Sequence, residues 1–175
     1  MDKRTFGTFG EISALTLGGG GIGQVWGVTS RKEAVATVRE AVETGINFLD
    51  LAPTYGNGEA ESVIGEAFEG RLPDGIRVST KCRVGNLAAS DVLSRLERSL
   101  DESLSRMKLE MVDLFFLHTE IIPDEVANYY EGTPRNLFIE AVRPAFERLV
   151  ARGRVGAWGI TGIGVPSAII DTIYE

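Results

Sequence analysis

An α/β protein with a parallel sheet is the fold class this sequence predicts, and three observations predict it. Short runs rich in apolar, branched and aromatic residues alternate with amphipathic stretches at helical spacing. No linker, internal repeat or low-complexity segment interrupts that alternation. Polar side chains able to carry chemistry recur where the apolar runs end, as they do at the C-terminal edge of parallel strands. Strand-helix alternation of this kind requires right-handed crossovers between parallel neighbours. A length of 175 residues suits one domain with its own core.

Composition narrows the function classes. Hydrophobic residues make up 43% and charged residues 25%, the balance of a globular chain rather than a disordered one. The net charge of -7, with no basic block, argues against a nucleic-acid surface. No apolar run approaches the ~20 residues that span a bilayer, so no membrane partner is expected. Met1-Asp2-Lys3-Arg4-Thr5 lacks the apolar centre of a signal peptide. One cysteine, Cys82, excludes an internal disulfide, and with one histidine no metal site is expected. The expected location is the cytoplasm.

Taken in order, Thr5-Phe6-Gly7 and Glu11-Ile12-Ser13, split by Phe9-Gly10, predict a small β-hairpin. Ala14 to Leu17 predicts a strand running into Gly18-Gly19-Gly20-Gly21-Ile22-Gly23, a glycine-rich loop. Ser30 with Glu33 forms a capping box, Val35, Val38 and Val42 mark a buried helical face, and Gly45 stops the helix. Phe48-Leu49-Asp50 reads as a short buried strand ending in a carboxylate, with Tyr55 in the loop punctuated by Pro53 and Gly56. A helix from about Glu59 to Phe68 buries Val63, Ile64, Ala67 and Phe68.

Ile76 to Thr80 alternates like a strand and delivers Lys81 at its end. Ser90 opens a long helix with the stripe Leu93, Leu96, Leu100, Leu104 and Met107, and Glu102 and Arg106 are placed to pair on its wet side. Met111 to Leu117 is the most apolar strand and ends in His118. The acidic stretch from Thr119 to about Pro134 is a long loop, the kind that covers a site or moves. Leu137 to Leu149 carries a helical stripe interrupted by Pro144, which predicts a kink or two helices in tandem. Val155 to Thr161 is a fifth strand, and Pro166 starts a last helix.

Asp50, Lys81 and His118 thus end successive strands, with Tyr55 just beyond one of them. In a (β/α) barrel such ends converge on one mouth. A tyrosine is a poor proton donor at neutral pH, with a reference pKa of about 10. Bringing one toward neutrality takes roughly 4 kcal/mol, at about 1.4 per unit. A lysine ammonium about 4 Å away supplies roughly that at an effective dielectric near 20. An aspartate beside the lysine keeps it protonated, and a histidine orients a carbonyl oxygen. That set protonates a developing alkoxide while a hydride arrives from a cofactor.

These residues give the sequence its resemblance to the aldo-keto reductases. The matching stretches are Leu17 to Gly20, Asp50 to Gly56, Glu61 with Gly65, Ser79-Thr80-Lys81, Leu117-His118 and Val155 to Thr161. The resemblance implies a (β/α)8 TIM-type barrel and hydride transfer between NADP(H), or NAD(H), and a small carbonyl or sugar substrate. It implies catalytic roles for Asp50, Tyr55, Lys81 and His118, and cofactor contacts at Gly20, Gly21, Ile22, Asp50, Thr161 and Gly162. The chain departs from the family where Thr161-Gly162 stands for a common Ser-Asn, and where Thr119-Glu120 follows His118 in place of an aromatic residue.

A full barrel takes about 250 residues. The expectation for residues 1–175 is therefore a partial barrel of about five β/α units, preceded by a hairpin and lacking the C-terminal strands. Strands near Leu15 and Trp158 would then be unpaired edges inviting self-association. An alternative follows: a catalytically incompetent fragment that binds or interacts. A second rival is the dinucleotide fold suggested by Gly18, Gly20 and Gly23, but Gln24 to Thr29 separates that motif from the next capped helix. Cys82 reads as a small buried residue.

Overall fold

The computed structural model describes all 175 residues. β1 (Lys3–Thr5) pairs antiparallel with β2 (Glu11–Ser13), Arg4 opposite Ile12, and one 3-10 turn, Gly7–Phe9, joins them. The next strand is shorter than its apolar run: β3 covers only Leu17–Gly18. The glycines beyond it form a helical turn, α1 (Gly19–Ile22), rather than an open loop. Gly23 N–H donates to the Gly19 carbonyl at 2.8 Å and Val25 N–H to that of Gly20 at 2.9 Å. These bonds satisfy backbone that has no side chains to order it.

α2 (Arg31–Glu43) begins as its cap predicts: Ser30 Oγ accepts from Glu33 N–H at 3.2 Å, and Ser30 N–H donates to Glu33 Oε2 at 3.0 Å. It ends at Gly45, whose φ of +100° glycine adopts without strain. Then follow β4 (Phe48–Asp50), α3 (Glu59–Phe68), β5 (Arg77–Cys82), α4 (Ala89–Met107) and β6 (Val112–Leu117).

The expected long loop contains structure of its own. β7 (Ile121–Ile122) and β8 (Thr133–Pro134) pair in parallel, and Thr133 N–H donates to the Glu120 carbonyl at 2.8 Å. Ile121 and Ile122 are buried while Tyr129 and Tyr130 at the tip are exposed. α5 (Arg135–Leu137) leads through one wider π turn, Phe138–Val142, into α6 (Arg143–Ala151). Pro144 lies in the first turn of α6. Its missing N–H explains why the stripe is broken there. β9 (Val155–Ile160) and α7 (Pro166–Ile173) complete the chain.

The main sheet has the order β3-β4-β5-β6-β9, so the five predicted strand-helix repeats are present. β3 runs parallel to β4, and β4 to β5, with Asp50 opposite Ser79. The chain divides into two compact units. The first is Met1–Thr80 with Glu102–Asp113, and the second is Lys81–Asp101 with Leu114–Glu175. In the first, α2 packs on α3 and buries Val38, Leu49, Val63 and Ile64. Each such side chain contributes about 1.5–3 kcal/mol. Val42 and Phe68, expected on those faces, are only half-buried, since each lies in the last turn of its helix.

In the second unit Val92, Leu96 and Leu100 are buried, while Leu93 stays half-buried. Trp158 stacks on Phe146 at 5.8 Å between ring centres and tilts against Phe138 at 6.1 Å. Phe115 meets Phe146 edge-on at 5.3 Å. Each aromatic pair adds about 0.5–1.5 kcal/mol beyond its burial.

Candidate active site

Asp50 closes β4, and the register of β4 and β5 sets it opposite Ser79. Ser79 is fully buried and donates its hydroxyl to Asp50 Oδ1 at 2.6 Å. The chain then turns at Pro53, with Tyr55 N–H donating to the Ala52 carbonyl at 3.0 Å. Tyr55 lies half-buried against the glycine turn α1. A Cβ on Gly19 would stand 3.0 Å from the tyrosine ring, and one on Gly23 would stand 2.7 Å from its carbonyl oxygen. Gly56 has a φ of +69°, and a Cβ there would lie 2.1 Å from the Gly23 carbonyl. The glycines are therefore small because the loop carrying Tyr55 rests on them.

In the second unit, Lys81 is the penultimate residue of β5 rather than the residue after it, and it is buried. His118 follows β6 directly, and its N–H donates to the Cys82 carbonyl at 2.8 Å. Thr161 follows β9, its N–H donating to the Leu117 carbonyl at 3.2 Å. Gly162 has a φ of +63° with open space where a Cβ would go. Cys82 is buried, as its reading as a small core residue requires.

The other predicted cofactor positions are divided. Gly20 and Ile22 are buried and Gly21 is exposed. Gly20 lies beneath the exposed Trp26, whose ring would be 2.7 Å from a Cβ there. Gln24 to Thr29 does separate the glycine motif from the capped helix α2, and the motif itself forms only the short helix α1. That helix has four residues and ends at Gly23. It is too short for the N-terminal dipole on which a dinucleotide fold relies.

Glu61, named in the resemblance, was not joined there to Thr80 and Arg106, with which it forms a buried polar cluster one residue before Lys81. Glu61 on α3 is fully buried, accepting from Thr80 Oγ1 at 2.6 Å and from Arg106 Nε at 2.6 Å. Arg106 therefore does not form the expected pair with Glu102 along α4. A dry carboxylate attracts a guanidinium more strongly than one in water does. The available signal was spacing, since Glu61 falls beside Ala60 and Ile64 on the apolar face of α3. Nearby, Arg31 Nε donates to Glu59 Oε1 at 2.6 Å. That hydrogen bond, more than charge alone, holds the Glu59 carboxyl below its usual range and the Arg31 guanidinium above its own.

The model of the Aldo/keto reductase family matches residues 14–171. L-galactose dehydrogenase of Arabidopsis thaliana is 32% identical over 188 residues, covering 100% of this chain and 56% of that protein. Methylglyoxal reductase YeaE of Escherichia coli is 26% identical over 163 residues, 93% of this chain and 51% of its own. The crystal structure of an aldo-keto reductase from Klebsiella pneumoniae in complex with NADPH superposes with a TM-score of 0.74 at 24% identity, over 99% of this chain and 54% of that one. The chain spans about half the length of the curated relatives it matches. The structural likeness shows the (β/α) barrel fold, of which this chain supplies five strand-helix repeats.

Proposed function

The chain belongs to the aldo/keto reductase family, and we propose that it takes part in reversible hydride transfer between NADP(H), or NAD(H), and a small carbonyl or sugar substrate. Tyr55 gives its phenolic proton to the substrate oxygen as the hydride adds to carbon, and recovers it in the reverse direction. Lys81 stabilises the resulting phenolate, and Asp50 supports the lysine charge. His118 orients the substrate oxygen by a hydrogen bond. The observation that carries this reading is positional: Asp50 ends β4, Lys81 lies at the end of β5, and His118 follows β6.

A bound nicotinamide supplies the hydride. Thr161 and Gly162 fit such a group, since a hydroxyl side chain and a glycine with open space stand side by side after β9. Asp50, Gly20, Gly21 and Ile22 are the further contacts assigned to it. The whole of residues 1–175 reads as one partial barrel domain with a cytoplasmic setting, which its acidity and lone buried cysteine suit. β3 and β9 stand at the two ends of the sheet order, which favours association with a second copy through those edges.

Tyr55→Phe tests the assignment. The variant should lose about 10²–10⁴-fold in NADPH-dependent aldehyde reduction, while NADPH fluorescence titration shows unchanged affinity. Turnover within a few-fold of the parent would transfer the proton donor's role to another group. Light scattering on the same preparation reads the self-association.

A further inference from the structure

The second unit contains a cleft of about 420 Å³ between the β5–α4 connection and the Thr119–Pro134 segment. Its wall includes Arg83, Arg95, Thr119, Tyr130 and Glu131. Arg95 Nε donates to the Arg83 carbonyl at 3.1 Å, which anchors the guanidinium on the wall of the cleft without engaging its terminal nitrogens. Thr119 is 8% exposed, and its Oγ1 accepts from Val84 N–H at 2.8 Å and Gly85 N–H at 3.3 Å. Both lone pairs of that hydroxyl are engaged, so toward the cleft it acts as a donor. An adjoining hollow of about 470 Å³ shares Arg95 and adds Arg98. In a chain with a net charge of -7, two guanidinium groups, those of Arg83 and Arg95, thus line the cleft, while Arg98 in the hollow beside it shares that wall with Asp91. Glu131, also in the lining beside Tyr130, partly offsets those guanidinium charges.

We propose that this cleft binds an oxyanion, the carboxylate or phosphate carried by the substrate itself. The proposal rests on the reductase reading above. Arg83 lies two residues beyond Lys81, and Thr119 one beyond His118. Two residues of extended chain span about 7 Å. That proximity in the chain suits a short substrate carrying both a carbonyl and an anionic group. The planar forks of Arg83 and Arg95 match a carboxylate or phosphate bidentately, and the Thr119 hydroxyl supplies a further donor. A purely apolar aldehyde would leave these donors without a partner.

Two measurements test it. First, the 175-residue chain is titrated with inorganic phosphate and with succinate, following the amide resonances of Val84 and Gly85. Saturable shifts are expected, weakened about ten- to a hundredfold in Arg83→Gln and in Arg95→Gln. Binding should be tighter in Glu131→Gln and unchanged in Arg71→Gln, an arginine that does not line the cleft. Absent shifts, or equal affinity in the arginine variants, would overturn the site. Second, KM is compared for succinic semialdehyde against butanal, and for glyceraldehyde 3-phosphate against glyceraldehyde. The arginine variants should raise KM for the anionic member about ten- to a hundredfold more than for its neutral partner. The pair that responds identifies carboxylate or phosphate, and an equal rise in both members of both pairs would overturn the substrate assignment. If no aldehyde is turned over, the reductase reading fails, and the titration decides the oxyanion site by itself.

Discussion

Arg106 on α4 reaches Glu61 on α3 through an Nε hydrogen bond of 2.6 Å, and Glu61 is sealed from solvent. Its other carboxylate oxygen accepts from Thr80, the residue before Lys81. Only Glu61 is dry, since Arg106 is 26% exposed, so the pair is costly to break from the arginine side, where a lone carboxylate would remain buried. Arg106→Gln should therefore destabilise the fold by about 3 kcal/mol. Denaturant unfolding measures this. A loss below about 1 kcal/mol, the range of exposed pairs, would show that water reaches Glu61 when the guanidinium is removed.

The same arginine explains a glycine. A Cβ on Gly65 would stand 2.2 Å from the Arg106 carbonyl oxygen, and one on Gly58 2.5 Å from its side chain. Propensity alone favours Gly65→Ala by about 1 kcal/mol. The clash is with backbone, which cannot rotate away, and overpacking costs about 1–3 kcal/mol or more. The clash should win, giving a net loss of about 1–2 kcal/mol. Thermal unfolding of this variant checks the sign, and a rise in Tm would refute the close approach.

Ser79 is a polar contact of Asp50 that the cross-strand register creates. A hydroxyl donating to a charged acceptor contributes about 1.5–3 kcal/mol. Ser79→Ala and Asp50→Asn, singly and together, should show a coupling energy of at least about 1 kcal/mol in a double-mutant cycle. Additive effects would mean the hydrogen bond is exchanged for water at no cost.

The Arg31–Glu59 pair gives a pH dependence. Arg31 lowers the Glu59 carboxyl from its ordinary value of 4.5. Because the folded value is the lower one, the stabilisation is complete above about pH 4.5 and is lost as pH falls through the folded value. Arg31 is 39% exposed, so screening limits the effect to about 1 kcal/mol or less. Glu59→Gln should thus be less stable than the parent at pH 7 and equal to it in strong acid. Unfolding curves across that range decide, and a constant difference would assign the effect to packing.

From the sequence alone came the order of strands and helices, the Ser30–Glu33 cap, the interruption at Pro144, and the placing of Asp50, Lys81 and His118 at strand ends. All of these depend on residues a few positions apart, whose periodicity and hydrogen-bonding options are local. The family resemblance rested on the same short stretches. Tertiary structure decided the rest. The run from Ala14 to Leu17 had strand composition, but only Leu17 and Gly18 found a neighbour in β4. The glycines after it became helical where the loop of Tyr55 closes on them. Thr119 to Pro134 looked like loop because its two short strands pair across ten intervening residues, a contact that no local period announces. Arg106 had Glu102 within reach along its own helix and Glu61 on another. Which carboxylate it met depended on which one folding had removed from water, and burial is a property of the assembled core.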